Sequence, residues 1–591
     1  MSNPQQSNSQ HIADSLIPVV LERRAAAEPE AQAFTFVDYD LDPDGYAETL
    51  TWSELYTRVR VVAGELRRHG GIGDRVAILA PQSMDYVVGF LGALEAGMVA
   101  VPLSVPMFGA HDERVSSVLA DCAAAAILTT TAAVGDVMPS VNAATGVRPA
   151  VVEVDALDYT DEPAPYEIDR PAAKLALLQY TSGSTGTPSG VAVGHENIAV
   201  NVAQIAADQF ADVGGYPPEG TTLVSWLPFF HDLGLMLGIM APVATGRHGV
   251  LTSPLSFLQK PSRWIRLLAE YPGAHSAAPN FAFDLAARRT SEADLEGLTL
   301  AGVHGIMNAA ERVQPATVRR FNERFAAAGL RDGVQLPAYG LAEATLYVAS
   351  LEPGTSLPIV RFDYEKLAAG YALRVEGEGG SEQVGLGHQR STVFRVVDTE
   401  SFEVCPDERV GEIWVHGANV AAGYWNNPTR TAEVFDAKLA QTESGTPEGP
   451  WMRTGDLGVI SGGELFMVGR IKDLIIIDGR NHYPDDIEST VTSITGARTA
   501  AISVPGSDTE QLVVVAELRK LPTDPQEIAE HVQQTRRAVA SAVSRAHTLR
   551  AADIVLVPQG AIPITTSGKT RRRETAETYR TGGFQRLGED G

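Results

Sequence analysis

Short β-branched runs alternate with Ala/Leu-rich segments through the first part of the chain. Between Ile12 and about Val360, runs such as Arg75–Leu79, Ala126–Thr130 and Thr222–Trp226 read as strands, and the segments between them as helices. That alternation predicts parallel βα layers, an α/β architecture. The most apolar stretch, Tyr86–Leu103, approaches membrane-spanning length, but it contains Glu95 and three glycines and ends in Val101-Pro102. It predicts a buried helix running into a buried strand, with no membrane insertion.

After Phe394 the texture changes to close-set strands, Val393–Val397 and Gly411–Val415, with turn signals such as Cys405-Pro-Asp407 between them. A smaller β-rich subdomain is expected there. The run Gln441–Pro450 is dense in turn and breaker residues and predicts a surface loop. From Asp473 a new alternation begins: strand Leu474–Ile477, a helix from Pro484, strands Thr499–Val504 and Leu512–Leu518, a helix across Gln526–Ala546 and strand Asp553–Val557. This predicts a separate α+β lid of about a hundred residues, within normal domain size. No internal repeat of solenoid period is present.

Composition narrows the function classes. The 591 residues imply about three to five lobes rather than one small module. The net charge of −26 disfavours nucleic acid or an anionic membrane surface as partner. With 44% hydrophobic and 20% charged residues the chain has material for large cores. Cys122 and Cys405 are far apart and lack metal or redox spacing, so they read as ordinary thiols of a reducing compartment. Residues Met1–Gln10 are polar and uncharged, unlike a secretory signal, and read as a frayed tail. The expected location is cytoplasmic.

The first chemical motif is Tyr180-Thr181-Ser182-Gly183-Ser184-Thr185-Gly186-Thr-Pro-Ser189-Gly190, directly after the apolar run Leu175–Leu178. Small hydroxyl residues between glycines let N–H and O–H groups converge on phosphate oxygens. A bare Ser/Gly linker reads much the same, and no Gly-Lys-Ser/Thr ends the run as in a Walker loop. Its place between two apolar runs favours the phosphate reading. The run resembles the phosphate loop of the adenylate-forming superfamily of acyl-CoA synthetases, peptide-synthetase adenylation domains and luciferases. Four further blocks follow in that family's order: Tyr339-Gly340-Leu-Ala-Glu343-Ala-Thr345, Arg453-Thr-Gly-Asp456, Gly469-Arg470-Ile-Lys472-Asp473 and Thr566-Ser-Gly-Lys569. Singly each is short; five in order over nearly four hundred residues are specific.

The resemblance implies a large N-terminal adenylate-forming domain, 1–471, built of two α/β subdomains and a β-rich subdomain, with a small mobile α+β C-terminal lid, 472–591. It implies ATP and Mg2+ as cofactors. A carboxylate oxygen is a poor leaving group, so an acid must first attack the α-phosphate of ATP and become an acyl-adenylate; catalysis then rests on alignment and charge neutralisation. By resemblance Thr181, Ser182, Gly183, Ser184, Thr185 and Gly186 cradle the phosphates, and Glu343 holds Mg2+ on them. Tyr339 stacks on adenine, with Gly340, Thr345, Asn308, Ala309 and Ala310 completing the nucleotide contacts. Asp456 accepts both ribose hydroxyls and Arg470 contacts the ribose. Lys569 bridges the incoming carboxylate and the α-phosphate, as a cation with an ordinary pKa of about 10.4 can. Lys472 takes the hinge position between body and lid. The run Arg571–Arg573 reads as a solvated or phosphate-facing surface.

The acyl side is read around Trp226-Leu-Pro-Phe-Phe-His231-Asp-Leu-Gly-Leu235, aromatic and aliphatic apart from His231 and Asp232 and lacking the carboxylate with which amino-acid-activating domains hold an amine. A long-chain fatty acid is favoured, with His231 at its carboxylate end. Ser189 stands where acyl-CoA synthetases usually carry lysine. The blocks around His231 and Asp478–Glu488 resemble the fatty acyl-AMP ligase branch, as does a long segment at about 351–389, which in that branch packs on the lid and disfavours coenzyme A. The implied acceptor is the phosphopantetheine thiol of an acyl carrier protein or polyketide synthase. A fatty acyl-CoA synthetase and a catalytically silent nucleotide- or acyl-binding protein are the alternatives.

Overall fold

The computed structural model describes residues 16–588 except 107–111, 145, 147, 161–173, 182–188, 378, 442–444, 478–479, 507–509, 520 and 566–567. The N-terminal tail, Ser182–Gly186 and Thr566-Ser567 therefore lie outside the described residues. An eight-stranded sheet runs in the order Tyr347–Ser350, Gln335–Gly340, Gly305–Ala309, His275–Pro279, Thr222–Ser225, His248–Leu251, Gln32–Asp38, Tyr46–Thr51. A six-stranded sheet runs Ala150–Glu153, Ala126–Thr129, Arg75–Ile78, Val99–Pro102, Leu175–Thr181, Ser189–Gly194. Interior neighbours pair parallel, as the alternating pattern predicts, while both edges of the first sheet and one edge of the second are antiparallel hairpins.

The apolar stretch Tyr86–Leu103 resolves as expected into helix Met84–Glu95 and strand Val99–Pro102. Ser83 caps that helix by accepting the Tyr86 N–H, and Gly92 lets Val62 of the neighbouring helix approach to where a Cβ would sit. No helix among the described residues is long and apolar enough to cross a membrane. One hydrophobic core runs through both α/β layers, with Trp52, Trp264 and Phe283 fully buried.

The third layer is an antiparallel sheet of Val393–Val397, Gly411–His416, Met452–Ser461 and Glu464–Arg470. Beyond it lie a hairpin, Ile475–Ile477 with Arg480–His482, and a three-stranded sheet, Thr499–Pro505, Glu510–Leu518 and Asp553–Pro558. Helices Pro484–Thr495, Pro525–His547 and Arg572–Arg580 flank these strands, which enclose cores of their own. Within 351–389, Ile359–Phe362 pairs with Ser381–Val384 and a short helix, Tyr364–Ala368, lies between. That helix touches the C-terminal part: Tyr364 Oη lies 3.2 Å from His482 Nδ1, and its ring meets His547 edge-on.

Candidate active site

In an open α/β sheet the free backbone groups and loops at the carboxyl ends of parallel strands form the natural crevice for ligands. The conspicuous blocks collect at those ends. Asn308 and Ala309 close strand Gly305–Ala309, Tyr339 and Gly340 close Gln335–Gly340, and Trp226–His231 follow Thr222–Ser225. Ala310 adopts φ 68, a left-handed conformation uncommon for a residue with a Cβ. Asn308 is fully buried, and neither its Oδ1 nor its Nδ2 has a partner among the described residues.

Gly340 is required by close packing. A Cβ there would sit 1.7 Å from the Leu346 carbonyl oxygen, because the chain bulges between Tyr339 and Gly340 and doubles back. The return passes through the turn Ala342–Ala344, and Thr345 follows at φ 69 with its hydroxyl donating to Asn419 O at 2.7 Å. Glu343 is thereby held on the turn, where Tyr424 Oη donates to its Oε1 at 2.7 Å. Burial and then the Glu343 charge push the Tyr424 hydroxyl up, so it stays a donor.

Tyr339 is buried and its Oη donates to Asp456 Oδ2 at 2.8 Å; burial first, and then the Asp456 charge, push its pKa well up. The other Asp456 oxygen, Oδ1, receives Arg470 Nε at 2.9 Å. Tyr339, Asp456 and Arg470 are thus one polar chain, with Asp456 opposite Arg470 in the antiparallel register. The backbone around Asp456 is fixed by Glu412, which is buried and receives both the Arg453 guanidinium and the Gly455 N–H at 2.9 Å. Arg453, within the Arg-Thr-Gly-Asp block, therefore serves the shape of the loop.

The phosphate-loop residues that are described lie on a hairpin: Leu175–Thr181 pairs antiparallel with Ser189–Gly194, setting Thr181 opposite Ser189. The segment Ala422–Trp425 adds on as a further edge, with Ala192 N donating to Gly423 O at 2.9 Å and Trp425 N to Gly190 O at 2.7 Å. It brings Arg430, whose Nη1 donates to Ser189 Oγ at 2.6 Å while its guanidinium lies 4.3 Å from the Tyr424 ring centroid. Ser189, Arg430, Tyr424 and Glu343 are consequently linked. His231 Nδ1 pairs closely with the carboxylate of Asp232, which also accepts the Leu233 N–H at 2.8 Å.

Lys569 reaches this crevice from the C-terminal part. Its turn is closed by Thr565, which takes the Lys569 N–H on its Oγ1 at 3.0 Å, and Gly568 lies against the Phe281 ring. Burial lowers the Lys569 pKa and Arg470 pushes it the same way, while Asp232, Glu311 and Asp456 act to raise it. Glu311 is held by the Phe281 N–H at 2.6 Å; burial raises its carboxyl, against the opposing pull of that N–H and of Lys569. Burial would raise Asp232 too, but His231, Lys569 and the Leu233 N–H together hold it below the usual range. Lys472 is likewise lowered, by burial and then by Arg470.

One expectation is corrected. Arg572 is not a solvated surface cation, because it bonds Asp473, Asp485 and Glu488 at 2.7–2.9 Å, whereas Arg571 pairs on the surface with Glu574. Sequence reasoning also missed Asp232 and Glu311 as charges facing Lys569, and Tyr424 as the partner of Glu343. Asp232 lay within the Trp226–Leu235 block already singled out and Glu311 directly follows Asn308–Ala310, whereas Tyr424 sat in no such block. Among the described residues no cluster of three or more His, Cys, Asp or Glu side chains could hold a metal by itself.

Comparisons with known proteins place the chain in a family. A family model described as AMP-binding enzyme matches residues 21–425, and one described as Disco-interacting protein 2-like, AMP domain, matches 472–587. Long-chain-fatty-acid--AMP ligase FadD26 of Mycobacterium marinum is 54% identical over 580 residues, 98% of this chain and 99% of that one. The 4-hydroxyphenylalkanoate adenylyltransferase of the same organism is 49% identical over 582 residues, 98% and 93% of the two chains. The fatty acyl-adenylate ligase of L. pneumophila, solved in complex with acyl adenylate and pyrophosphate, matches with a TM-score of 0.74 at 29% identity, covering 98% of each chain. The chain belongs to the ATP-using, adenylate-forming AMP-binding enzymes, in their fatty acyl-AMP ligase branch.

Proposed function

We propose that this enzyme activates a long-chain fatty acid with ATP, releasing pyrophosphate, and passes the acyl group to the phosphopantetheine thiol of an acyl carrier protein or polyketide synthase. The observation that carries the reading is Lys569, brought from a C-terminal lid into the electrostatic company of Asp232, Arg470, Glu311 and Asp456. The fatty carboxylate attacks the α-phosphorus, the bond to the β-phosphate oxygen breaks, and pyrophosphate leaves. Lys569 in its protonated form neutralises the charge that gathers on the carboxylate and α-phosphate oxygens. The thiol sulfur then attacks the acyl carbonyl carbon, AMP leaves and the thiol proton is lost to solvent.

For the nucleotide, the buried and unpartnered amide of Asn308 suits an adenine edge, and Asp456 with Arg470 suits the ribose. Tyr339, Gly340, Thr345, Ala309 and Ala310 shape the adenine side; Thr181 and Ser182–Gly186 take the phosphates. Glu343 fits Mg2+, because one carboxylate together with phosphate oxygens is a usual Mg2+ set and Tyr424 occupies only its Oε1. Mg2+ bound there would neutralise phosphate charge. His231, oriented by Asp232, lies at the head of the acyl path. Trp226, stacked on Phe257 at 3.8 Å and edge-on to Trp264, supplies apolar surface for the chain. The hinge lies at Lys472, dividing body 1–471 from lid 472–591.

The test supplies ATP, Mg2+ and a series of fatty acids and ω-aryl alkanoates, with coenzyme A or a holo carrier protein as acceptor. Pyrophosphate release with medium or long chains, and acyl transfer to the carrier only, is expected. Efficient acyl-CoA formation would overturn the carrier assignment, and no adenylate from any alkanoate would overturn the reaction.

A further inference from the structure

One ion pair joins body to lid in near-dry surroundings. Arg312 Nη2 lies 2.6 Å from Asp486 Oδ1, and each side chain is only 9% exposed. Arg312 follows Glu311, the body carboxylate that faces Lys569, and Asp486 sits in the first turn of the lid helix Pro484–Thr495. The helix N-terminus favours a negative charge there. Next to it Asp485 belongs to the ion-pair cluster of Arg572, three residues past Lys569. The pair thus spans the two sides of the lysine's surroundings.

Its energetics are asymmetric. Arg312 Nη1 and Asp486 Oδ2 have no hydrogen-bond partner among the described residues, and although Asp485 also acts on Arg312 through space, the contact pair is the one with Asp486. Removing one partner leaves the second buried without its contact counter-charge, the costly case for ion pairs. That cost falls on the pose shown, in which body and lid are in contact. When the lid swings away, the remaining charge meets water and the cost vanishes.

We propose that Arg312 and Asp486 are positioning residues: their ion pair latches the lid in the pose that presents Lys569 to Asp232, Glu311 and Arg470, and so serves the adenylation half of the reaction and not the transfer half. The proposal rests on the reaction assigned above. Neither residue touches the reacting atoms; the pair acts through the lid.

The two halves are measured apart. Pyrophosphate release in a single turnover reports adenylation, and a presynthesised acyl-adenylate with holo carrier reports transfer. Arg312→Met and Asp486→Asn are each expected to slow adenylation by about ten-fold or more and to leave transfer unchanged or faster. Arg312→Lys, which keeps a cation, is expected to recover most of the rate. Equal loss in both halves, or no loss in either, overturns the latch. Amide hydrogen exchange in the native protein and in Arg312→Lys and Arg312→Met gives a reading that needs no turnover. Faster exchange confined to the hinge and helix Pro484–Thr495 in Arg312→Met supports the latch even if no alkanoate is activated, whereas unchanged or global exchange overturns it.

Discussion

At the scale of single residues, the site depends on placing a few charges in a chain that carries −26 overall. Lys569 shows how. Burial and the nearby Arg470 lower its pKa, and three carboxylates only partly restore it. In the role proposed for Lys569 the cation is the active form, so a depressed pKa means the charge is lost at a lower pH than the ordinary lysine value of about 10.4. Adenylation is therefore expected to hold a plateau and then fall on the alkaline side before that value. Lys569→Ala should cut acyl-adenylate formation by about 100-fold or more while ATP binding persists. Pyrophosphate release measured across pH, with nucleotide binding by calorimetry, checks both; a rate flat to the ordinary lysine range, or normal turnover in Lys569→Ala, would refute the role. The motifs that pointed to Lys569, Glu343, Asp456 and Arg470 were legible because each is a short contiguous block. Tyr424 was not, since it acts on Glu343 from 81 residues away and sits in no block of its own.

Elements made of alternating hydrophobicity were the most legible part. Strand Thr499–Pro505, helix Pro525–His547 and strand Asp553–Pro558 lie within a residue or two of their expected limits, because the strands are apolar runs buried on both faces between two local cores and the helix buries one face on the first of them. Antiparallel edges were less so. A strand's periodicity is the same whichever way its neighbour runs, so the pairing of Leu175–Thr181 with Ser189–Gly194 could not be read from it. The hairpin Gln335–Gly340 with Tyr347–Ser350 gives a test at this scale. The turn brings the Leu346 carbonyl to where a side chain on Gly340 would have to be, and backbone cannot rotate aside. Gly340→Ala should therefore destabilise the body by roughly 3 kcal/mol or more, beyond ordinary overpacking, and should displace Glu343 along with the turn. Thermal denaturation and the adenylation rate measure this together. A variant with native melting and native rate would show that the turn relaxes freely.

Over the whole molecule, the body carries a titration liability separate from its chemistry. His195, His248 and His275 are held neutral by burial, with pKa values pushed down to about 4, about 4 and about 3, His304 adding to the effect at His275. In the unfolded chain each would titrate near its ordinary value of about 6.5. Between these limits the unfolded state binds more protons than the native one. Stability from this source is complete above about pH 6.5 and is lost as pH falls toward 4, on the order of 3 kcal/mol for each group. His275 is the cleanest probe. Both its ring nitrogens lack a partner among the described residues, and its ring packs 4.8 Å from that of Phe210. His275→Phe keeps a ring there and breaks no hydrogen bond. It should match the native protein at pH 7.5 and outlast it at pH 5 in urea denaturation, with a shallower fall of the midpoint between. An unchanged acid slope would mean that the body loses its stability elsewhere. The three histidines lie outside the crevice residues, so adenylation at neutral pH should be the same in His275→Phe. Acid inactivation of the fold can then be separated from the alkaline loss of the Lys569 charge.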